Sequence, residues 1–203
     1  MGTSNPIRCL NNPFAIYGSK PTATNNSTSV NVCGLGADTI LNGRDGANKL
    51  TLTCSGPLPA GVRRVVYVKN AAETLIQDNI TYAEGPYSSI SDIPQLVVLS
   101  DQKITVKAGV TRLDGIYAAK TDFATCDLHP TPTQCNQKLE VNGAIVAGLH
   151  VLPYRTAGAD GPNYGDKAEI FRLRPDALLD QLPAVGDETY IRTIDQREVP
   201  PRF

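Results

Sequence analysis

Between Leu96 and Leu152 the chain reads Leu96-Val97-Val98-Leu99, Lys103-Ile104-Thr105-Val106-Lys107, Asp114-Gly115-Ile116-Tyr117-Ala118-Ala119-Lys120, Lys138-Leu139-Glu140-Val141-Asn142-Gly143-Ala144-Ile145-Val146-Ala147-Gly148 and Leu149-His150-Val151-Leu152. Apolar and β-branched residues crowd these runs, as they do in strands. Each run stops within a few residues at Gly, Asn, Asp or a charge, so the connections are short. None shows the i, i+3, i+4 recurrence of an amphipathic helix. Such spacing suits a meander, a sandwich or a parallel solenoid, and two details favour the solenoid. The runs are mostly of roughly three to five residues, short for a sandwich strand. Small residues with Gly, as in Asn142 to Ala147, suit tight coil corners. The expectation is an all-β fold, an irregular right-handed parallel β-solenoid with a coil period of roughly 17 to 30 residues. Asp101-Gln102, Ala108-Gly109 and Asn142-Gly143 are read as breaks between strands, and Asp114-Gly115 as a turn.

Upstream, Lys49 to Cys54 alternates with period two, which puts Leu50, Leu52 and Cys54 on one face and Thr51 and Thr53 on the other. Ser29–Val32, Asp38–Leu41, Arg64–Lys69 and Thr74–Ala83 are further strand-like runs, with Asn42-Gly43 and Asp45-Gly46 as turn dipeptides. Residues 1–30 have no period, and the stretch Thr22 to Ser29 is loop chemistry that includes glycosylation-type patterns at Asn25 and Asn26. This divides the chain into a β-rich N-terminal segment with polar loops, residues 1–60, and a solenoid, residues 61–203. Downstream, an insertion runs between Lys120 and Lys138 and a loop over residues 153–168. Ile170–Leu173 is a strand, and a short C-terminal helix starts at Pro175 and stops at Pro183. The extended tail ends with Val199-Pro200-Pro201-Arg202-Phe203.

Charged residues make up only 19% of the 203, the net charge is −1, and Gly and Pro number 17 and 15. That balance gives no electrostatic pull towards nucleic acid. No run of about 18 apolar residues exists to span a bilayer within this chain. The phosphate-loop lysine and the serine-hydrolase elbow are both missing, so the sequence calls for no cofactor and no catalytic residue.

Five cysteines leave an odd one. Cys126 and Cys135 flank Pro130 and Pro132 and close a small loop, so a disulfide is expected there; metal binding with His129 and free thiols are the rivals. Cys33 and Cys54 both end strand-like runs and are the chosen second bridge. A Cys–His nucleophile would need Cys126 or Cys135 beside His129 or His150. A polysaccharide-cleaving site would need two carboxylates in one groove, drawn from Asp92, Asp101, Asp114, Asp160 and Asp166, with Arg112 and Arg155 as cations. Tyr87, Tyr154 and Tyr164 sit in loops and are candidate surface contacts for a glycan or protein, because tyrosine gives contact area at low entropic cost.

Several segments stand in one order: Ser89-Ile90-Ser91-Asp92-Ile93-Pro94, Val110 to Ala119, the Cys126/Cys135 pair, Leu139 to Ala147, Ala168 to Phe171, Arg174 to Ala177 and Val199 to Phe203. Over residues 80–203 this resembles the C-terminal domain of large uncharacterised surface-type proteins of Saccharibacteria and related candidate-phyla bacteria. The resemblance implies a surface location and a β fold, and carries no activity. The Asn142–Ala147 segment is also similar to β-helical polymer-forming and pilus-associated proteins. The leading expectation is a non-enzymatic extracellular or cell-surface structural or adhesion protein, capable of self-association at an unpaired solenoid end. The alternatives are a carbohydrate-active β-helix enzyme, a lyase or hydrolase, and a pilus-associated subunit.

Overall fold

The computed structural model describes residues 23–43, 49–128, 134–156 and 168–174. They form an all-β parallel solenoid. Odd-numbered strands build one sheet: β1 (Ala23–Asn25), β3 (Thr39–Asn42), β5 (Arg63–Lys69), β7 (Gln95–Ser100), β9 (Arg112–Ala119), β11 (Leu139–Ala147) and β13 (Glu169–Arg172). Even-numbered strands build the other: β2 (Ser29–Asn31), β4 (Lys49–Thr53), β6 (Glu73–Ile76), β8 (Lys103–Val106), β10 (Phe123–Ala124) and β12 (Val151–Leu152). The chain therefore crosses from one sheet to the other and back in every coil, and each strand pairs in parallel with the strand two places along. Both sheets run unbroken across residue 60, with β3 beside β5 and β4 beside β6.

Alternation puts one side of each strand into a shared interior, and in-register pairing stacks like on like. In the odd sheet Val66, Val98, Tyr117 and Ile145 stand in one column, and Leu41, Val68, Ser100, Ala119 and Ala147 in another. In the even sheet the facing column is Leu50, Thr74, Ile104 and Phe123. The buried Thr74 hydroxyl is satisfied within this interior by Ser100 Oγ at 2.8 Å.

The two sheets differ on their other side. Val65, Tyr67, Val97, Leu99 and Ala118 point away from the interior and form a second buried apolar cluster. All six residues of β7 are buried. A strand buried on both faces reads as a continuous apolar run, which is why Leu96 to Leu99 shows no alternation. Tyr67 adds a hydrogen bond from its hydroxyl to Asp101 at 2.6 Å. The outer side of the even sheet is buried unevenly: Glu73, Thr105 and Ala124 are buried, but β4 alternates, with Leu50 and Leu52 buried, Lys49 exposed, and Thr51 and Thr53 half-buried.

Two expected turns lie inside strands instead. Asp114-Gly115 is in β9 and Asn142-Gly143 is in β11, and the two pairs stack in register. Both glycines have positive φ, +130° and +150°. A Cβ on Gly143 would stand 1.8 Å from the Gly115 carbonyl oxygen. Ahead of this point β9 pairs with Ile80, beyond it with β7. The chain thus turns a corner without leaving the ladder, which only glycine permits. Asp114, fully buried there, accepts from the Tyr82 backbone N–H at 2.9 Å, from Arg112 at 3.1 and 3.2 Å, and from Asn142 Nδ2 at 2.9 Å.

Other carboxylates and amides tie the corners of neighbouring coils in the same way. Asp38 accepts from the Val65 N–H, Asp78 from Cys54, Asp127 from Ala108, and Asn79 from Thr111 and Arg112. Arg155, expected as a candidate active-site cation, is buried. It donates to the carbonyls of Thr125, Ala108, Lys107 and Gln137 at 2.6–3.3 Å, so it fastens turns of three coils together. Its pKa is lowered by that burial. Both chosen disulfides form: Cys33–Cys54 with Cα atoms 5.1 Å apart and Cys126–Cys135 at 6.0 Å. Among the described residues no helix is long and apolar enough to cross a membrane. The expected C-terminal helix, the extended tail, Cys9, His129, Asp160, Tyr164 and Asp166 lie outside the described residues.

Candidate functional site

The outer side of the even sheet carries a column of charges. Glu73 stands in register with Lys49 on one side and Lys103 on the other. Phe123 pairs with both Ile104 and Val151, which sets Asp122 beside Lys103 and His150 beside Asp122. The result, Lys49–Glu73–Lys103–Asp122–His150, alternates in charge along successive coils when His150 is protonated. Its pairs are close: Lys49 to Glu73 2.9 Å, Lys103 to Glu73 3.3 Å, and His150 Nδ1 to Asp122 3.0 Å.

The fold makes this column by a local rule. Four members immediately precede a buried residue whose side chain enters the interior, namely Leu50, Thr74, Ile104 and Phe123, and His150 precedes Val151, which pairs with Phe123 and is exposed. Strand alternation then turns the preceding side chain outward. Parallel in-register stacking places it over its counterpart one coil away, at a strand spacing of about 4.8 Å.

Beside the column lies an open polar groove of about 300 Å³ lined by Lys49, Glu73, Lys103, Thr105, Asp122, Asp127 and Tyr154, with Ala124, Cys126 and Leu152 as its less polar wall. Glu73 is its most enclosed carboxylate, its side chain 10% exposed against 58% and 46% for Lys49 and Lys103. Burial alone would raise its pKa. The Thr105 hydroxyl, the hydrogen bond from Lys49 and the charges of Lys103 and Lys49 outweigh that, and the carboxyl titrates below its ordinary range. Glu73 is therefore an anion held between two cations. Asp122 lies two coils along, a Cα separation of about 10 Å at ~4.8 Å per coil.

Of the tyrosines, Tyr154 lines the groove, its backbone N–H fixed by Thr125 Oγ1 at 2.8 Å. Tyr87 lies in the loop before β7 and turns its hydroxyl back to the Ala83 carbonyl. Among the described residues, the expected carboxylates Asp92, Asp101 and Asp114 are held by separate partners. Asp92 accepts from the backbone of Ser88 and Ser89, Asp101 from Tyr67, and Asp114 from Arg112 and Asn142 at the glycine corner. The carboxylates that do share a groove are Glu73, Asp122 and Asp127. Aligning Lys49-Leu50-Thr51-Leu52, Glu73-Thr74-Leu75-Ile76, Lys103-Ile104-Thr105-Val106 and Asp122-Phe123-Ala124-Thr125 reveals that column in the sequence. The Cys126–Cys135 bridge removes both thiols from the Cys–His and metal alternatives. No family model, curated protein or solved structure matches the chain.

Proposed function

We propose that the protein is a non-enzymatic structural and adhesion component of an extracellular surface, and that it holds glycan along the groove of the even sheet. The observation that carries this is the state of Glu73. Two-carboxylate glycoside hydrolysis needs one carboxyl kept protonated by a raised pKa. Glu73 is instead held ionised by Lys49 and Lys103. Paired charges beside a tyrosine offer donors, acceptors and an aromatic surface to a polyhydroxylated chain, with Glu73 held as an anion between its lysines. Two disulfides suit an oxidising compartment, and the resemblance of residues 80–203 to surface-type proteins of Saccharibacteria points the same way.

The second reading is a carbohydrate-active enzyme. It is favoured by three carboxylates and two lysines in one groove. Calorimetric titration with neutral, uronic-acid and amino-sugar oligosaccharides, followed by chromatography of the recovered ligand, separates the two. The expected result is binding of at least one class, recovery of intact ligand, and at least tenfold weaker binding by Tyr154→Ala. A wild-type protein that binds none of them sinks the adhesion reading, and shortened products establish the enzyme.

A further inference from the structure

We propose that this chain dimerises with a second copy of itself, the two meeting at the C-terminal ends of their solenoids about a two-fold axis. The dimer does not depend on the glycan reading. Five of the seven large apolar side chains exposed among the described residues fall between β11 and the residue after β13. They are Val146 at 46%, Leu149 at 63%, Val151 at 42%, Phe171 at 50% and Leu173 at 63%. Three inner columns run out there. Leu113 and Val141 are buried, and Phe171 stands next in register. Val66, Val98 and Tyr117 lead to half-buried Ile145, and Ile104 and Phe123 lead to Val151. The backbone is open at the same place. Among the described residues no strand pairs with the far edge of β12 or β13, and β11 beyond Asn142 pairs only with β9. A stacked array that ends on apolar side chains and unpaired strand edges is a template for association.

The two ends of the solenoid differ, and the difference selects the occupant. At the N-terminal end Val30, Val32 and Leu41 are buried, and the exposed side chains include Thr24, Thr28, Ser29 and Asn31. The core is closed there and the surface is polar. Head-to-tail stacking would continue the Val146 column with Thr24 and the Leu152 column with Ser29, polar upon apolar. Joining the C-terminal ends sets apolar upon apolar. The rim of that end also carries both signs of charge, Arg172 lying 3.6 Å from Glu140, so two like ends meet without net repulsion. Like ends related by a two-fold axis close at two copies, whereas head-to-tail contacts leave a free end and continue as a filament.

Sedimentation velocity of the full chain over a concentration series tests this. The expected result is a monomer–dimer equilibrium with nothing larger. Leu149→Glu combined with Phe171→Glu charges two exposed positions of the end and should weaken the dimer at least tenfold, with Tm unchanged. Leu149→Ser alone should weaken it in the same direction and serves as the second variant if the first misfolds. Ile90→Glu, at a position equally exposed at 50% but in the turn before β7, should dimerise like wild type, and so should Ser29→Glu at the N-terminal end. A wild type that stays monomeric throughout overturns the proposal and leaves a strand of a different protein as the occupant. So do Leu149 variants that dimerise like wild type, or a dimer lost in Ile90→Glu. Species beyond the dimer that Ser29→Glu abolishes establish head-to-tail stacking instead.

Discussion

The two sheets of the solenoid share one interior and differ on their outer sides. Outside the odd sheet, Val65, Tyr67, Val97, Leu99 and Ala118 are buried in an apolar cluster. Outside the even sheet, the matching places hold Lys49, Glu73, Lys103, Asp122 and His150. Parallel in-register stacking works equally well for both, since the ladder hydrogen bonds do not depend on what the outward side chains are. The inner columns therefore maintain the fold, and the charged outer column of the even sheet is the one that borders an open groove. The contrast also shows in the carboxylates: Asp114 is fully buried and committed to backbone and side-chain donors at the glycine corner, while Glu73 and Asp122 are paired with the partly exposed side chains of Lys49, Lys103 and His150.

The largest expected effect falls where the inner frame tolerates no side chain. Gly143→Ala puts a Cβ 1.8 Å from a backbone oxygen at φ +150°, whereas a Cβ on Gly109 meets nothing within 4 Å. Urea denaturation should show Gly143→Ala losing about 4 kcal/mol or more, and Gly109→Ala within about 0.5 kcal/mol of wild type. Next come Ile104 and its neighbour Lys103. Ile104→Ala empties a fully buried site and should cost about 2–5 kcal/mol, while Lys103→Ala, an exposed partner of Glu73, should cost less than about 1 kcal/mol. Equal losses would erase the distinction between inner and outer columns. Opening Cys33–Cys54, which ties residues 21 apart, should cost about 3 kcal/mol of loop entropy by the same measurement.

A smaller effect tests the charge column itself. The folded pKa of Glu73 is depressed, so its contribution to stability is present at neutral pH and is lost as pH falls through that folded value. Glu73→Gln should be less stable than wild type at neutral pH by about 1 kcal/mol, a figure kept small because both lysines are substantially exposed. The gap should close on acidification. A gap that widens towards acid would mean that Glu73 is protonated in the fold and would revive its candidacy as a catalytic acid. Smallest of all is Tyr154→Ala, whose Tm should stay within the range of a surface substitution.

How far the sequence discloses this depends on which column is being read. Strand runs were legible because their side chains meet both rules at once: Leu96 to Leu99 is apolar throughout and buried on both sides, and Lys49 to Thr53 alternates because only one side is buried. The disulfide partners were legible as cysteines ending neighbouring strands or flanking a short loop. Asp114-Gly115 and Asn142-Gly143 were misread, because the dipeptides that suit a turn also suit a corner inside a strand. Only the stacking of Gly143 on Gly115 tells the two apart. Arg155 was misread for a related reason, since no local pattern shows a guanidinium bonded to carbonyls in distant coils. The groove was missed because its residues come one per coil with unequal insertions between them. The buried inward residue that follows Lys49, Glu73, Lys103 and Asp122 is the marker that aligns them.

The central claim is that the outer groove of the even sheet holds a glycan and does not cut it. The most direct measurement is to incubate wild type and Glu73→Gln with each oligosaccharide the protein binds, and to follow chain length over time. The account predicts intact ligand with both proteins, and an affinity that falls with Tyr154→Ala. Steady release of shorter fragments by wild type, abolished in Glu73→Gln, would contradict it and make Glu73 a catalytic residue.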